Sequence, residues 1–250
     1  MSSEWNDRQK RIVEKLRTDG EVKISELKNW LEVTDMTVRR DLEKLEQNGV
    51  LKRTFGGAIL TAKEIALPER SIVHIAEKER IGETAVELIE PGESIFMDSG
   101  STTLQIARCL PHEANLTVVT NALHIASELS EKKIPTIVIG GALMDTTNSM
   151  VGSLSIETIL RMAFDKAFLG TTGANALHGF SNSNMHEAEI KRTAIQQAKK
   201  AYIVMDHTKF GNSALFSFAS LQDVHAIITN EMPDEDMRLA CEASETFIIT

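Results

Sequence analysis

The chain has 250 residues, 42% of them hydrophobic with few aromatics, and a formal net charge of −9. That length permits one domain or two, its sparse Gly and Pro exclude a disordered or fibrous chain, and no apolar run is long enough for a membrane helix. The start, Met1-Ser2-Ser3-Glu4, lacks the basic flank and hydrophobic stretch of a secretion signal, so a cytoplasmic location is expected. Cys109 and Cys241 are isolated, which excludes a zinc finger and reads as two small buried hydrophobes; neither a metal nor a cofactor is expected. The acidity is uneven. Residues 1–60 hold twelve Lys and Arg against eleven Asp and Glu, whereas residues 61–250 hold fifteen against twenty-five. An acidic body on a near-neutral head is compatible with DNA where cations gather on one face.

In chain order, Asn6 or Asp7 caps a first helix that runs to about Thr18, with Ile12, Val13 and Leu16 on one face and Asp19-Gly20 as its stop. Val22-Lys23-Ile24 reads as a short extended piece. Ser25 then caps a second helix carrying Leu27, Trp30 and Leu31 inward, and Glu32-Val33 makes a tight turn. Thr34 or Asp35 opens a third helix, Met36 to Gln47, apolar at Val38, Leu42 and Leu45 and closed by Asn48-Gly49. Val50 to Ala58 fits a strand and a glycine turn, the shape of a wing. Helix-turn-helix is a common packing unit, so the side chains must carry the reading. Thr37, Arg39, Arg40 and Lys44 occupy the polar side of the third helix. Arginines near a helix N-terminus reach base edges in the major groove of double-stranded DNA and pair bidentately with guanine. Ser25, Thr34 and Met36 at the helix starts complete the candidate DNA-contacting set, with Lys52 and Arg53 of the wing placed to hold phosphates. The plainer alternative makes Arg39 and Arg40 a solvated face paired with Asp41 and Glu43.

Residues 1–60 are therefore read as a helical head, residues 61–76, which include Pro68, as a linker, and residues 77–250 as a second domain. From there helices and strands alternate: helix Lys78–Ile89, strand Ser94–Met97, helix Leu104–Leu110, strand Leu116–Thr120, helix Leu123–Leu129 and strand Thr136–Ile139. Helix Ser155–Phe164, strand Lys166–Leu169, helix Glu187–Lys199, strands Ala201–Met205 and Ala226–Thr229 and helix Asp234–Ser244 follow. That rhythm predicts a mostly parallel α/β sheet covered on both faces.

Within it, the strand Ile95-Phe96-Met97 runs directly into Asp98-Ser99-Gly100-Ser101-Thr102-Thr103 and a helix. Backbone N–H groups at a helix start attract anions, Gly100 permits close approach, and hydroxyls add donors without bulk. Ser/Thr clusters often only cap a helix, but ligands of open α/β sheets bind at the C-terminal ends of the strands, which favours a site. Asn121, Gly141 and Thr171-Thr172-Gly173 end three further strands, and Lys191, Asp206 and Lys209 lie near others. Lys191 and Lys209 would offset an anionic ligand's charge or stand as surface lysines. His186 and Glu189, three apart, are too few for a metal site.

The run from Thr34 through Thr37-Val38-Arg39-Arg40-Asp41-Leu42 to Phe55-Gly56-Gly57-Ala58 resembles the signature of DeoR-type bacterial regulators. The resemblance implies a winged helix-turn-helix that binds operator DNA, joined to a sensor for a phosphorylated sugar or similar small-molecule effector. It also implies repression of a carbohydrate-utilisation operon by a homo-oligomer, dimer or tetramer. The body is similar, through the same family, to ribose-5-phosphate isomerase. In that relation Asp98–Thr103 matches the phosphate loop, Gly170–Gly179 the loop of the catalytic aspartates, Asp206–Lys209 an Asp-x-x-Lys element, and Glu189 falls near the general base. Where the isomerase has Asp-Gly-Ala-Asp this chain has Thr171-Thr172-Gly173-Ala174, which implies that a sugar phosphate is held and not converted. An isomerase-like enzyme with an accessory helical head is the alternative.

Overall fold

The structure, a computed structural model, describes residues 5–19, 21–47, 50–54, 56–60 and 67–250. The expected stops at Gly20 and Asn48-Gly49, and the part of the linker up to residue 66, lie outside the described residues. The chain divides into two compact units, Met1–Ile65 and Ala66–Thr250.

The first unit contains α1 (Asp7–Asp19), β1 (Glu21–Lys23), α2 (Ile24–Leu31), α3 (Asp35–Gln47), β2 (Leu51–Arg53) and β3 (Gly57–Leu60). Ile12, Val13, Leu16, Leu27, Val38, Leu42 and Leu45 are fully buried in one core, so the helical periodicity read from sequence is the packing face. The extended piece at Val22 is a third strand of the wing: β1 pairs antiparallel with β3, which pairs antiparallel with β2. Gly57 is required there, because a Cβ at that position would lie 1.8 Å from the Val22 carbonyl oxygen. Two expectations are corrected. Ser25 does not cap α2; the capping position is Lys23, which makes no side-chain cap bond, and Ser25 is exposed within the first turn. Trp30 does not point inward but is 42% exposed, with the Arg11 guanidinium 4.6 Å and the Lys15 ammonium 5.7 Å from its ring. Ile24, Leu27 and Leu31 already fill the inner stripe of this short helix, and Trp30 lies about 100° round the axis from Leu31.

The second unit runs α4 (Leu67–Ser71), α5 (Ile75–Glu87), β4 (Ser94–Met97), α6 (Ser101–Cys109), β5 (Thr117–Thr120), α7 (Leu123–Glu131), β6 (Thr136–Val138), β7 (Ala142–Met144), β8 (Ser149–Val151) and α8 (Ser153–Ile159). It continues with β9 (Phe164–Gly170), β10 (Gly173–Asn175), β11 (Gly179–Asn182), α9 (Met185–Gln197), β12 (Ala198–Val204), β13 (Phe216–Ala219), β14 (Ala226–Ile228), α10 (Glu235–Ala243) and β15 (Phe247–Ile249). Seven strands form one sheet in the order β15-β14-β12-β9-β4-β5-β6, every pair parallel. Alternate residues feed its two faces: Phe96, Ala167, Leu169, Ile203 and Ile227 enter one core, and Ile95, Met97, Phe168, Tyr202, Val204 and Ile228 the other.

Three features depart from the expected rhythm. The hairpin of β7 and β8 and the antiparallel sheet β10-β11-β13 were not expected; their strands of three or four residues are too short for a periodic signal. The helix expected over Ser155–Phe164 stops at Ile159, since Phe164 begins β9. The linker is also shorter than expected, because residues 67–76 belong to the second unit: Leu67 is buried, its N–H donates to the Thr146 carbonyl at 2.9 Å, and the buried Lys78 ammonium donates to the carbonyls of Arg70 (2.6 Å) and Val73 (2.8 Å).

The chain builds β4, β5 and β6 outward in one direction and then returns to lay β9, β12, β14 and β15 on the other side of β4. The connections leaving β4 and β9 diverge, which opens a crevice at their C-terminal ends. Helix α9 returns over this edge from a defined start, where the Asn184 side-chain oxygen accepts from the N–H groups of His186 (2.8 Å) and Glu187 (3.4 Å). Asn184→Ala is expected to cost about 1 kcal/mol, the usual worth of such a cap. The measurement is a lowered urea midpoint at unchanged slope; an unmoved midpoint would show that packing alone fixes the helix start.

Candidate functional site

In the first unit the candidate surface is one side of α3. Thr34 holds its N-terminus: the hydroxyl accepts from the Thr37 N–H at 3.3 Å and lies 3.0 Å from the Thr37 hydroxyl, which ties up both groups at the helix start. Met36, Arg39, Arg40 and Lys44 are exposed, Met36 at 64%. The plainer pairing of the arginines with Asp41 does not occur. Asp41 is buried and turned the other way, held by the Arg8 guanidinium and by the Gln9 amide at 2.9 Å from α1. Among the described residues neither Arg39 nor Arg40 has an ion-pair partner. Arg53 is more committed than expected: its guanidinium and its backbone N–H both bind the Glu46 carboxylate at 2.8 Å, fixing the wing to α3. The Lys52 side chain lies outside the description.

In the second unit the crevice is organised by a charge pair not foreseen. Asp98, the first residue after β4, is buried and accepts from the Gly100 N–H (3.0 Å), the Thr103 hydroxyl, the Gly170 N–H (2.9 Å) and the Lys191 ammonium. Lys191, buried on α9, also donates to the Gly170 carbonyl at 3.0 Å. Burial alone would push the Asp98 carboxyl up, but the charge and hydrogen bond of Lys191, helped by Thr103 and Gly100, hold it below the usual carboxylate range. Lys191 is therefore already neutralised by Asp98 and is not a cation offered to a ligand, which corrects the expectation drawn from sequence. This one ion pair joins β4, β9 and α9 across the crevice floor.

Above that floor stands the N-terminus of α6. Its capping residue, Gly100, supplies no side-chain cap, so no N-cap side chain takes up the first-turn amides of Ser101 and Thr102. The remaining expected residues divide. Ser99 donates to Glu187 (3.0 Å), which also accepts from Asn182 (2.7 Å), and Thr172 donates to Asn182 (3.0 Å). Glu187 is thus a further carboxylate of the crevice, bonded to Ser99 and Asn182. Glu189 is not: two residues further along α9 it faces elsewhere, 3.8 Å from His186 in a separate cavity of about 420 Å³ shared with Gly152, Ile156 and Arg192. Thr171 donates to the carbonyls of Gly173 (2.8 Å) and Ser181 (3.0 Å), and a Cβ on Gly173 would meet the Asn212 carbonyl at 2.5 Å, so both shape the loop. Gly141 likewise serves packing, since a Cβ there would come 2.2 Å from the Ser155 hydroxyl.

What marks the edge as unfinished is a group of enclosed polar atoms with no protein partner. Among the described residues they are Asn121 Oδ1 after β5, Asp206 Oδ2 after β12, both ring nitrogens of His124 on α7 and Nε of Arg70 on α4; Gln105 Nε2 on α6 and the Thr229 hydroxyl after β14 also lack a partner. Buried polar atoms are normally bonded, so these are the atoms of the edge with hydrogen-bonding capacity to spare. His124 is pushed down to about 4, first by burial and then by Arg70 and Arg108, with Asp98 opposing, so at neutral pH it offers one donor and one acceptor. Burial of Asp206 opposes its charge, but Lys209, Thr208, Lys78 and His74 outweigh that and hold it ionised. Beside it the His207 ring stands edge-on to His74 at 5.8 Å, its Nδ1 3.0 Å from the Asn230 amide. Arg70, His74, His124 and Glu187 were absent from the expected set. Arg70 and His74 fall within the span read as a linker, and isolated polar residues on amphipathic helices, such as His124 and Glu187, give no spacing signal.

Comparison with known proteins agrees with this division. A family model described as DeoR-like helix-turn-helix domain matches residues 8–64, and one described as DeoR C terminal sensor domain matches residues 73–231. The HTH-type transcriptional regulator IolR of Bacillus subtilis is 35% identical over 231 residues, covering 91% of this chain and 92% of that one. The glycerol-3-phosphate regulon repressor of Escherichia coli is 31% identical over 225 residues, 89% of each chain. Among solved structures, ribose 5 phosphate isomerase A of Neisseria gonorrhoeae overlaps 55% of this chain and 54% of its own at a TM-score of 0.41 and 16% identity, too slight a likeness to bear on chemistry. With a helix that exposes Arg39, Arg40 and Lys44 in the first unit, a polar crevice at the strand ends of the second and both family models in register with them, the chain belongs to the DeoR family of DNA-binding transcriptional regulators.

Proposed function

We propose that the protein represses a carbohydrate-utilisation operon, binding double-stranded operator DNA as a homo-oligomer, and that a phosphorylated sugar or related metabolite at the β4–β9 edge releases it. The observation that carries the effector half is the uncapped start of α6 standing among partnerless polar atoms of Asn121, His124, Asp206 and Arg70. Amides of a helix N-terminus suit a phosphate, while Asp206 and Asn121 suit hydroxyl donors of a polyol. The relative that represses a glycerol-3-phosphate regulon supports the same ligand class. Arg39 and Arg40 read bases, and oligomerisation supplies the paired half-sites that such heads require. The metabolite is held and not turned over: the loop Thr171–Ala174 carries hydroxyls and no carboxylates, and the Thr171 hydroxyl is bound to backbone.

Thermal unfolding against a panel of sugar and polyol phosphates tests this reading. A ligand at 100 times its dissociation constant stabilises by about 2.7 kcal/mol. One compound is expected to raise the midpoint, and Ser101 and Thr102 both changed to Ala should remove the shift. Silence across the panel would overturn the phosphorylated effector, and aldose–ketose interconversion by the purified protein would overturn the non-enzymatic assignment.

A further inference from the structure

The first ten residues of the sensor unit, rather than forming a passive connection, lie against the effector edge. Helix α4 packs against α6, the helix whose N-terminus faces the crevice. Among the described residues its seat on the unit includes the Leu67 N–H bond to the Thr146 carbonyl, the buried Leu67 and Val73 side chains, and the Lys78 ammonium collecting the carbonyls of Arg70 and Val73. The turn after it places His74 in the left-handed region (φ 51°), unusual for a residue with a side chain, with no side-chain cap on α5. Arg70 looks inward from this segment. Its Nε is enclosed and has no acceptor among the described residues, and its charge is felt by His124, whose two ring nitrogens likewise have no partner among them. A buried guanidinium N–H without an acceptor among the described residues suits an anion, and planar donors in a fork match a phosphate bidentately. Asn121 and Asp206, both 1% exposed and each with an unbonded oxygen, stand at the ends of β5 and β12 on the same edge and point to a ligand independently of the helix terminus.

We infer that Arg70 completes the anion site and is the link through which a bound effector acts on the segment leading to the DNA-binding head. The inference rests on the reading of the β4–β9 edge as the seat of an anionic effector. Residues 61–66 follow the head directly and α4 follows them, so whatever fixes or frees α4 sets the start of the sensor. An anion shared by the α6 amides and Arg70 binds more tightly when α4 is seated than when it is displaced. By linkage, its arrival shifts the population toward the seated state. The ligand that would do this carries a phosphate or similarly compact anion at one end and hydroxyls at the other.

The test is hydrogen exchange of the full chain with inorganic phosphate as the probe, against chloride at matched ionic strength. At about ten times its dissociation constant, phosphate is expected to slow exchange of amides in both residues 101–104 and residues 67–78 by about tenfold. In Arg70→Ala and Arg70→Gln the protection at 101–104 should persist in part while that at 67–78 disappears. Protection at 101–104 alone in the wild type, or protection at 67–78 that survives both substitutions, would overturn the role of Arg70 and leave the effector site standing. Protection at neither segment would overturn both.

Discussion

Arg40→Ala, alone and with Arg39→Ala, is expected to abolish operator binding while leaving the head folded. Both side chains are exposed on α3, and among the described residues neither is held by an ion pair. Surface truncations of this kind change stability by no more than about 0.5 kcal/mol. Each arginine that reads a base edge is worth about 1–3 kcal/mol of binding, and a two-fold assembly loses the contact twice, so one substitution weakens the complex by about thirtyfold to more than ten-thousandfold. The measurement pairs fluorescence anisotropy on an operator selected from genomic DNA with thermal melting of each variant. Asp41→Ala is the contrast. It strips the partner of Arg8 and Gln9 inside the unit, so it should lower the melting temperature first and DNA affinity only in consequence. An Arg40→Ala protein that keeps wild-type affinity would remove α3 from the interface.

How far the sequence could reach is seen by comparing residues that were legible with neighbours that were not. Val38, Leu42 and Leu45 recur at helical spacing and are all buried, so α3 and its polar face could be read directly. Trp30 was placed inward with Leu27 and Leu31, whereas its position around α2 leaves it exposed. In the body, hydrophobic strands ending in small polar residues announced β4, β5 and β9 and the edge they share, and local chain chemistry was enough. What could not be read depends on register between distant segments. Lys191 meets Asp98 across 93 positions, and only the docking of α9 on β4 determines that their charges cancel. The choice between Glu187 and Glu189 turns on 200° of helix rotation, which a shift of two residues decides. Arg70 and His124 owe their significance to partnerless atoms, a property of the packed structure with no trace in spacing.

The same register argument makes Lys191→Met the most damaging single change expected in the sensor. Methionine conserves the volume of the lysine stem and removes its charge, leaving Asp98 buried with only hydroxyl and amide donors. Breaking a buried pair from one side costs about 3–5 kcal/mol, a large part of the stability of an ordinary domain. The pH dependence distinguishes this cause from lost packing. In the wild type the folded-state pKa of Asp98 lies below its unfolded value, so its contribution is fully present above the unfolded pKa and is lost only as pH falls through the depressed folded pKa. Between pH 7.5 and 5 the pair therefore contributes no change. In the variant the opposing influence of burial is left without Lys191 and the folded-state pKa rises, so the carboxyl takes up a proton on acidification more readily folded than unfolded, which restores stability. Urea unfolding at pH 7.5 and 5 should show the gap between wild type and Lys191→Met narrowing at the lower pH. A constant gap would mean that the lysine acts through its stem against Phe218, 5.8 Å from the ammonium, and not through its charge. Operator affinity measured at pH 5 and 7.5 should then track the fraction of intact sensor, because Asp98 and Lys191 bind together the three elements, β4, β9 and α9, that form the crevice floor.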